Sequence, residues 1–307
     1  MDYFDLHCDT LYECFRSKSS IYKNNFAVSI DKANFDRWCQ VFAIWIPDGV
    51  QNPFSFFIEH LNFAKTQFNE FGDYVKDCSD FDEIDNAVNS SRKCAAILSV
   101  EGGSVLEGKI ENLYRLYQLG IRILTLTWNG KNEIASGIEA AGGLSPLGKR
   151  VLKEMNRLGM VADLSHLNEQ SFYEAAEIAT SIIASHSNCR AVHGHARNLT
   201  DEQLKVIKQK KSLVGICFYP EFLGGKDVFD RVYANIYYLL EQGLEHNIAI
   251  GSDFDGADMH EDLNDISKLP GLFDYLTLKN LKYETIQKIF FKNAYNFFAN
   301  LLTKRAV

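Results

Sequence analysis

Short apolar runs alternate along the chain with longer amphipathic stretches. Eight runs read as strands, at 3–9, 39–46, 94–101, 121–128, 160–166, 181–186, 212–219 and 247–253. Each is rich in Ile, Val, Leu or Phe and is bounded by Gly, Asp or Asn. Their near-continuous apolar character predicts parallel strands buried on both faces. Helical periodicity fills the gaps at 53–71, 107–119, 168–179, 227–243 and 283–303. Ser145-Pro146 predicts another helix start, running to about Leu158 with Gly159 as its left-handed stop. Thr200 and Gln203 have the spacing of a capping box. Eight strands interleaved with helices predict a (β/α)8 TIM barrel occupying residues 1–307 as one catalytic domain. An open doubly wound sheet is the competing architecture. No GxGxxG or GxxxxGK[ST] follows any strand, so the phosphate cradles of nucleotide folds are not in evidence.

Composition removes several function classes. The chain has 307 residues, 32 Lys+Arg and 40 Asp+Glu, for a formal charge of −8. Nucleic acids and anionic membranes both require a basic surface, so neither is an expected partner. No run reaches the roughly 18 apolar residues of a membrane helix. The last helix is dense in Phe but is interrupted by Lys288, Lys292 and Lys304, which suits a docked helix. The first ten residues lack a basic stretch followed by an apolar one, so no signal peptide is expected. Seven scattered Cys with no CxxC pair argue against disulfides and a thiolate zinc site. A cytoplasmic setting is the expectation. A homodimer is left open.

The chemistry gathers at the strand ends. They read His7-Cys8-Asp9, Glu101, Trp128, His166, His186 and Asp253, and barrel enzymes work at that rim. His7 and Asp9 are spaced i, i+2, so strand alternation predicts one face for both, with Phe4, Leu6 and Cys8 on the other. Taken singly these signals are weak. Asp9 reads equally as a helix cap, Glu101 as an exposed loop residue, and each His as a structural one. Together they predict a metal site, and imidazole with carboxylate suits Zn, Mn or Co. Asp253 is the candidate proton carrier, preferred over Asp255. Arg197 could clamp a carboxylate through two parallel hydrogen bonds or be an ordinary surface residue. His193 and His195 are read as a solvated loop, and His60, His246 and His260 suggest no role. Cys8 is read as a small buried residue.

Several segments carry a resemblance. They are DLHCDT at 5–10, SVEGG at 99–103, RILTLTWN at 122–129 and GLSPLGKRVLKEMNRLGMVADLSH at 143–166. ASHSNCRAV at 184–192, HARNLTDEQL at 195–204, SLVGICFYPEFL at 212–223 and IGSDFDG at 250–256 continue it. The chain resembles the membrane dipeptidase (renal dipeptidase) family of binuclear zinc peptidases, within the amidohydrolase-like barrels. The resemblance implies that His7 and Asp9 bind one divalent ion, His166 and His186 a second, and Glu101 both. It implies that Arg197 holds the substrate's terminal carboxylate, that Asp253 is the acid/base, and that a metal-bridging hydroxide cleaves a dipeptide. One position departs. Better-known members carry a His after LTLT, where this chain has Trp128 followed by Asn129. Indole neither coordinates a metal nor accepts a proton, though its N–H donates one hydrogen bond. Asn129 or the metal itself is then expected to support the developing oxyanion. Trp128 also keeps open a metal-dependent hydrolase of another amide, such as an N-acyl amino acid, a cyclic amide or a β-lactam. A non-catalytic binding barrel is the remaining rival.

Overall fold

The computed structural model describes residues 1–302, so Lys304 and the end of the predicted last helix lie outside the described residues. The described residues form nine strands: β1 (Asp2–Cys8), β2 (Arg37–Trp45), β3 (Val75–Cys78), β4 (Cys94–Glu101), β5 (Ile123–Thr125), β6 (Val161–Asp163), β7 (Ile182–Ala184), β8 (Leu213–Ile216) and β9 (Ile248–Ile250). Neighbours in the sheet run in the order β2-β1-β9-β8-β7-β6-β5-β4, and β2 pairs directly with β4. That pairing closes an eight-stranded parallel barrel ringed by helices. The eight strands predicted from apolar runs are its staves.

β3 is the addition. Its residues pair with the first half of β4, from Val75 opposite Cys94 to Cys78 opposite Ile97. β5 takes the second half of the same edge, from Ser99 opposite Ile123. β3 has the sequence VKDC, too short and too polar to stand out as an apolar run. Several staves are also shorter than predicted, because their last residues leave the ladder and turn toward the barrel mouth.

An apolar cluster draws on each of the eight staves, with Leu6, Val41, Ile97, Val161 and Leu213 among its members. It fills the barrel interior and continues at its base into Cys78, Ile84, Ala87 and Val88, from β3 and the segment after it. A second cluster, including Cys8, Ile44, Leu98 and Ile250, packs between staves and helices. The interior cluster also contains Phe291, Ala294 and Phe298 from the C-terminal helices. Phe298 stacks on Phe4 with ring centroids 5.3 Å apart, and Asn293 donates to the carbonyl of Ile248 at the start of β9. The C-terminal segment therefore seals the N-terminal end of the barrel. Its predicted single helix is two helices, Tyr283–Gln287 and Asn293–Leu302, joined by a π-helical turn at Lys288–Lys292.

The predicted helix signals act as expected. Ser145 Oγ accepts from the Gly148 amide, and Gly159 ends that helix with φ of 61°. Thr200 and Gln203 form a reciprocal capping box. Among the described residues no helix is long and apolar enough to cross a membrane.

Candidate metal centre

Each site residue reaches the barrel mouth by a different local device. On β4 the route is plain alternation. Ala95 and Ile97 lie in the interior cluster, so Ser99 and Glu101 follow on the same face. Glu101 is 4% exposed, which removes the exposed-loop reading. β1 does not alternate strictly. Phe4 and Leu6 are interior and Cys8 is exterior. The pairing of β1 with β2 slips between Asp5 and Cys8, and this irregularity lets His7 turn inward beside Leu6. The strict alternation expected for 3–9 is corrected accordingly.

Asp9 is the N-cap residue of helix Thr10–Ser17, yet its side chain makes no capping bond. Its carboxylate turns to the mouth instead. His166 and His186 sit in the turns after β6 and β7, both buried. Asp253 follows β9 with φ of 63°, and Asp255 has φ of 67°. Left-handed backbone is unfavourable for such residues and concentrates at functional sites. A Cβ at Gly256 would crowd the carboxylates of Asp9 and Asp253, so the glycine leaves room for them to converge.

The six side chains meet. His7 Nε2 lies 3.1 Å from Asp9 Oδ2, 3.5 Å from Glu101 Oε2 and 3.9 Å from Asp253 Oδ1. On the other side, His166 Nε2 lies 2.7 Å from Glu101 Oε1 and 2.8 Å from His186 Nε2. His186 Nε2 is 3.6 Å from Glu101 Oε1. Glu101 therefore stands between a His7–Asp9–Asp253 group and a His166–His186 pair.

The electrostatics are those of crowded donor atoms. Burial, with Glu101 as the nearest raising charge, lifts Asp9 to about 6. Burial beside Asp9 and Glu101 pushes Asp253 up to about 7. Burial and the neighbouring Arg197 lower His166 to about 4. Burial, His7 and His166 hold His186 well below its ordinary value. Burial opposes charge on His7 and on Glu101, but their mutual attraction outweighs it, so His7 rises and Glu101 falls.

Two observations test whether a cation fits. Asp9 Oδ1 is buried and has no hydrogen-bond partner among the described residues, an expensive state for a carboxylate. Ligand atoms of His7, Glu101 and His186, and those of His7, Asp9 and Asp253, lie within 4.8 Å of one another in each group. Oxygen and imidazole donors at this spacing suit a divalent cation.

The surrounding residues sort themselves by what their polar atoms already hold. Asp255 accepts from Thr10 Oγ1 and from the amides of Ala27 and Val28, so its carboxylate ties down the segment after the first helix. Arg197 is 6% exposed. It donates to the carbonyls of Ser165 and His186, while its Nε is buried and unpartnered. Asn129 Oδ1 lies 2.8 Å from His166 Nδ1. Trp128 is half-buried and packs edge-on against Trp45 at 5.1 Å. Both tryptophans, Arg197, Tyr219 and Glu221 line a cavity of about 990 Å³ above the cluster.

Some residues stand elsewhere. His195, read as solvated loop, lines that cavity and packs on Phe222 at 4.7 Å. His60 is buried among Tyr12, Phe15 and Phe56. His246 borders a separate surface hollow, and His260 caps a 3-10 turn. Sequence reasoning missed Asp5 and Asp163, both buried just beneath the site. The available signal was an acid inside an apolar stave, two residues before His7 and three before His166.

A sequence profile of the family described as membrane dipeptidase, peptidase family M19, matches residues 1–304. A Schizosaccharomyces pombe protein named as an uncharacterized dipeptidase is 33% identical over 223 residues, 69% of this chain and 53% of that protein. The match thus spans about half the length of that relative. The crystal structure of a metallopeptidase, dipeptidase AC, superposes with a TM-score of 0.92 at 23% identity, covering 98% of this chain and 99% of the other. A Rhodobacter sphaeroides metallopeptidase, solved with a phosphinate mimic of the dipeptide L-Ala-D-Ala, gives 0.91 at 22% identity, with 98% and 99% covered. With the barrel closed, the cluster at its mouth and the profile spanning nearly every residue, the chain belongs to the membrane dipeptidase family, peptidase family M19.

Proposed function

We propose that this chain is a metal-dependent dipeptidase. The observation that carries the reading is the buried convergence of three carboxylates and three imidazoles, with Asp9 Oδ1 unpartnered, in a chain of this family. We assign His7 and Asp9 to one divalent ion, His166 and His186 to a second, and Glu101 to both. Zinc is the proposed metal, with manganese or cobalt as substitutes. When bound, such ions act as Lewis acids that acidify water and polarise a carbonyl.

The remaining work falls to the protein. Asp253 is pushed up to about 7, close to the value that suits a proton carrier at neutral pH. Its Oδ1 takes a proton from the attacking water and returns it to the leaving amine. The buried guanidinium of Arg197, with its unpartnered Nε, receives the free carboxylate and so limits substrates to short peptides. Trp128 and Trp45 wall the cavity. With a cation on its Nε2, His166 would carry its hydrogen at Nδ1 and donate it to Asn129 Oδ1, which would leave the Asn129 amide N–H groups for substrate. The free, buried cysteines among the described residues support a cytoplasmic setting, and we place the activity in one barrel domain. Two indoles in the wall also favour a second reading, hydrolysis of an N-acylated amino acid, a cyclic amide or a β-lactam.

The test is a substrate panel on purified, metal-analysed protein. L-L and L-D dipeptides, N-acyl amino acids and a β-lactam are compared with and without a chelator. Chelator-sensitive release of amino acids from dipeptides is the expected result. Metal-loaded protein that leaves every dipeptide intact would overturn it.

A further inference from the structure

Beneath the histidine pair lies a buried aspartate that no part of the proposed reaction uses. Asp163 is 1% exposed and ends β6. Its carboxylate accepts five hydrogen bonds. Oδ1 takes the Ser165 amide at 3.1 Å, the Ser165 hydroxyl at 2.7 Å and the Ser185 amide at 2.9 Å. Oδ2 takes the Thr125 hydroxyl at 2.7 Å and the Ser185 hydroxyl at 2.6 Å. Three adjacent staves are thereby tied at one point, and two of them lead directly into His166 and His186.

The hydrogen count then fixes more than position. A serine hydroxyl has one hydrogen. That of Ser185 is directed to the Asp163 carboxylate, the strongest acceptor within its reach. That of Ser165 is directed to the same carboxylate, so neither can be shared between the two hydroxyls, which lie 3.1 Å apart. Ser185 Oγ also lies 2.8 Å from His186 Nδ1. With its hydrogen already committed, the hydroxyl can only accept there. Nδ1 must then carry the imidazole hydrogen, and Nε2 is left with a lone pair that, in the metal-free protein, accepts from His166 Nε2 at 2.8 Å and is open to a cation once that hydrogen leaves.

We propose that Asp163 is a positioning residue that sets the tautomer of His186 through Ser185. In Asp163→Asn the new amide group donates to Ser185 Oγ. The hydroxyl hydrogen is released toward His186 Nδ1, and the ring hydrogen moves to Nε2, where it blocks a metal. Partners of this kind are worth about ten- to a hundredfold in metal affinity.

The inference rests on the metal-site reading above, so two readouts are used. Long-range 1H–15N NMR of metal-free protein reports which nitrogen of His186 bears hydrogen. Competition with a chromophoric chelator reports zinc affinity. The expected result is an Nδ1–H in the parent, a shift toward Nε2–H in Asp163→Asn, and zinc affinity weakened about ten- to a hundredfold. Ser185→Ala removes the relay with little change in volume. It should weaken zinc by a similar factor, and it carries the test if Asp163→Asn does not fold. Zinc affinity within about twofold of the parent in the folded variants would overturn the proposal. So would lost affinity with Nδ1–H retained in Asp163→Asn, the mark of a purely structural aspartate. If the parent itself binds no zinc, the metal reading falls, whereas the metal-free tautomer measurement still decides the role of Asp163.

Discussion

At the scale of single residues, placement and burial decide what each polar group does. Glu101 stands between the His7 side and the His166–His186 side of the cluster. Glu101→Gln is expected to lower bound metal and activity together, as measured by elemental analysis beside a dipeptide assay. Unchanged metal content would show that the ligand assignment is wrong. On the roles proposed above, Asp253→Asn should separate metal holding from proton transfer. It should keep the metal while kcat falls by about 10²–10⁴, the span of general acid–base effects. Much of this cluster was readable as ionisable residues at the ends of apolar strands. Asp5 and Asp163 were not, because an acid inside a stave looks unfavourable until its partners are known. Asp5 takes the amides of His7 and Ser252 and the hydroxyls of Tyr3 and Ser252. Apart from the Tyr3 hydroxyl, those partners are distant in sequence or are backbone atoms, and neither kind leaves a pattern in the chain.

At the scale of elements, the barrel staves were legible because parallel strands covered on both faces must be apolar almost throughout. β3 escaped because its VKDC is half polar and borders only part of β4. The slip within β1 was also hidden, since alternation is assumed in any reading of spacing, and it is this slip that brings His7 into the mouth. Helix caps were the most readable local feature, because their chemistry is contained within four residues. The capping box at Thr200 gives a direct check. Thr200→Ala removes the acceptor for the Gln203 amide and should cost about 1 kcal/mol, read from urea denaturation. No change in the midpoint would mean that water replaces the hydroxyl at no cost.

At the scale of the whole molecule, one end of the barrel is built for burial and the other for chemistry. The lower interior is filled by aliphatic side chains and by phenylalanines of the C-terminal segment. Above them comes a polar layer containing Thr125, Asp163 and Ser185, and above that the cluster of carboxylates and imidazoles. Phe298 is fully buried against Phe4. Phe298→Ala should cost about 3–5 kcal/mol, visible as a lowered melting temperature, with the metal centre unaltered in the fraction that remains folded. Loss of metal at full folding would instead show that base and mouth are coupled.

The sealed base has a kinetic consequence. Among the described residues the base is filled by side chains, so the mouth is the passage for substrate and for product alike. The two amino acids released from a dipeptide must clear the cavity before another substrate can enter. On the role proposed for Arg197, a product that still carries a free carboxylate would compete there with the incoming peptide. Initial-rate measurements with added amino acid should therefore show inhibition that raises KM and leaves kcat unchanged. Inhibition that lowered kcat alone would point instead to a separate exit.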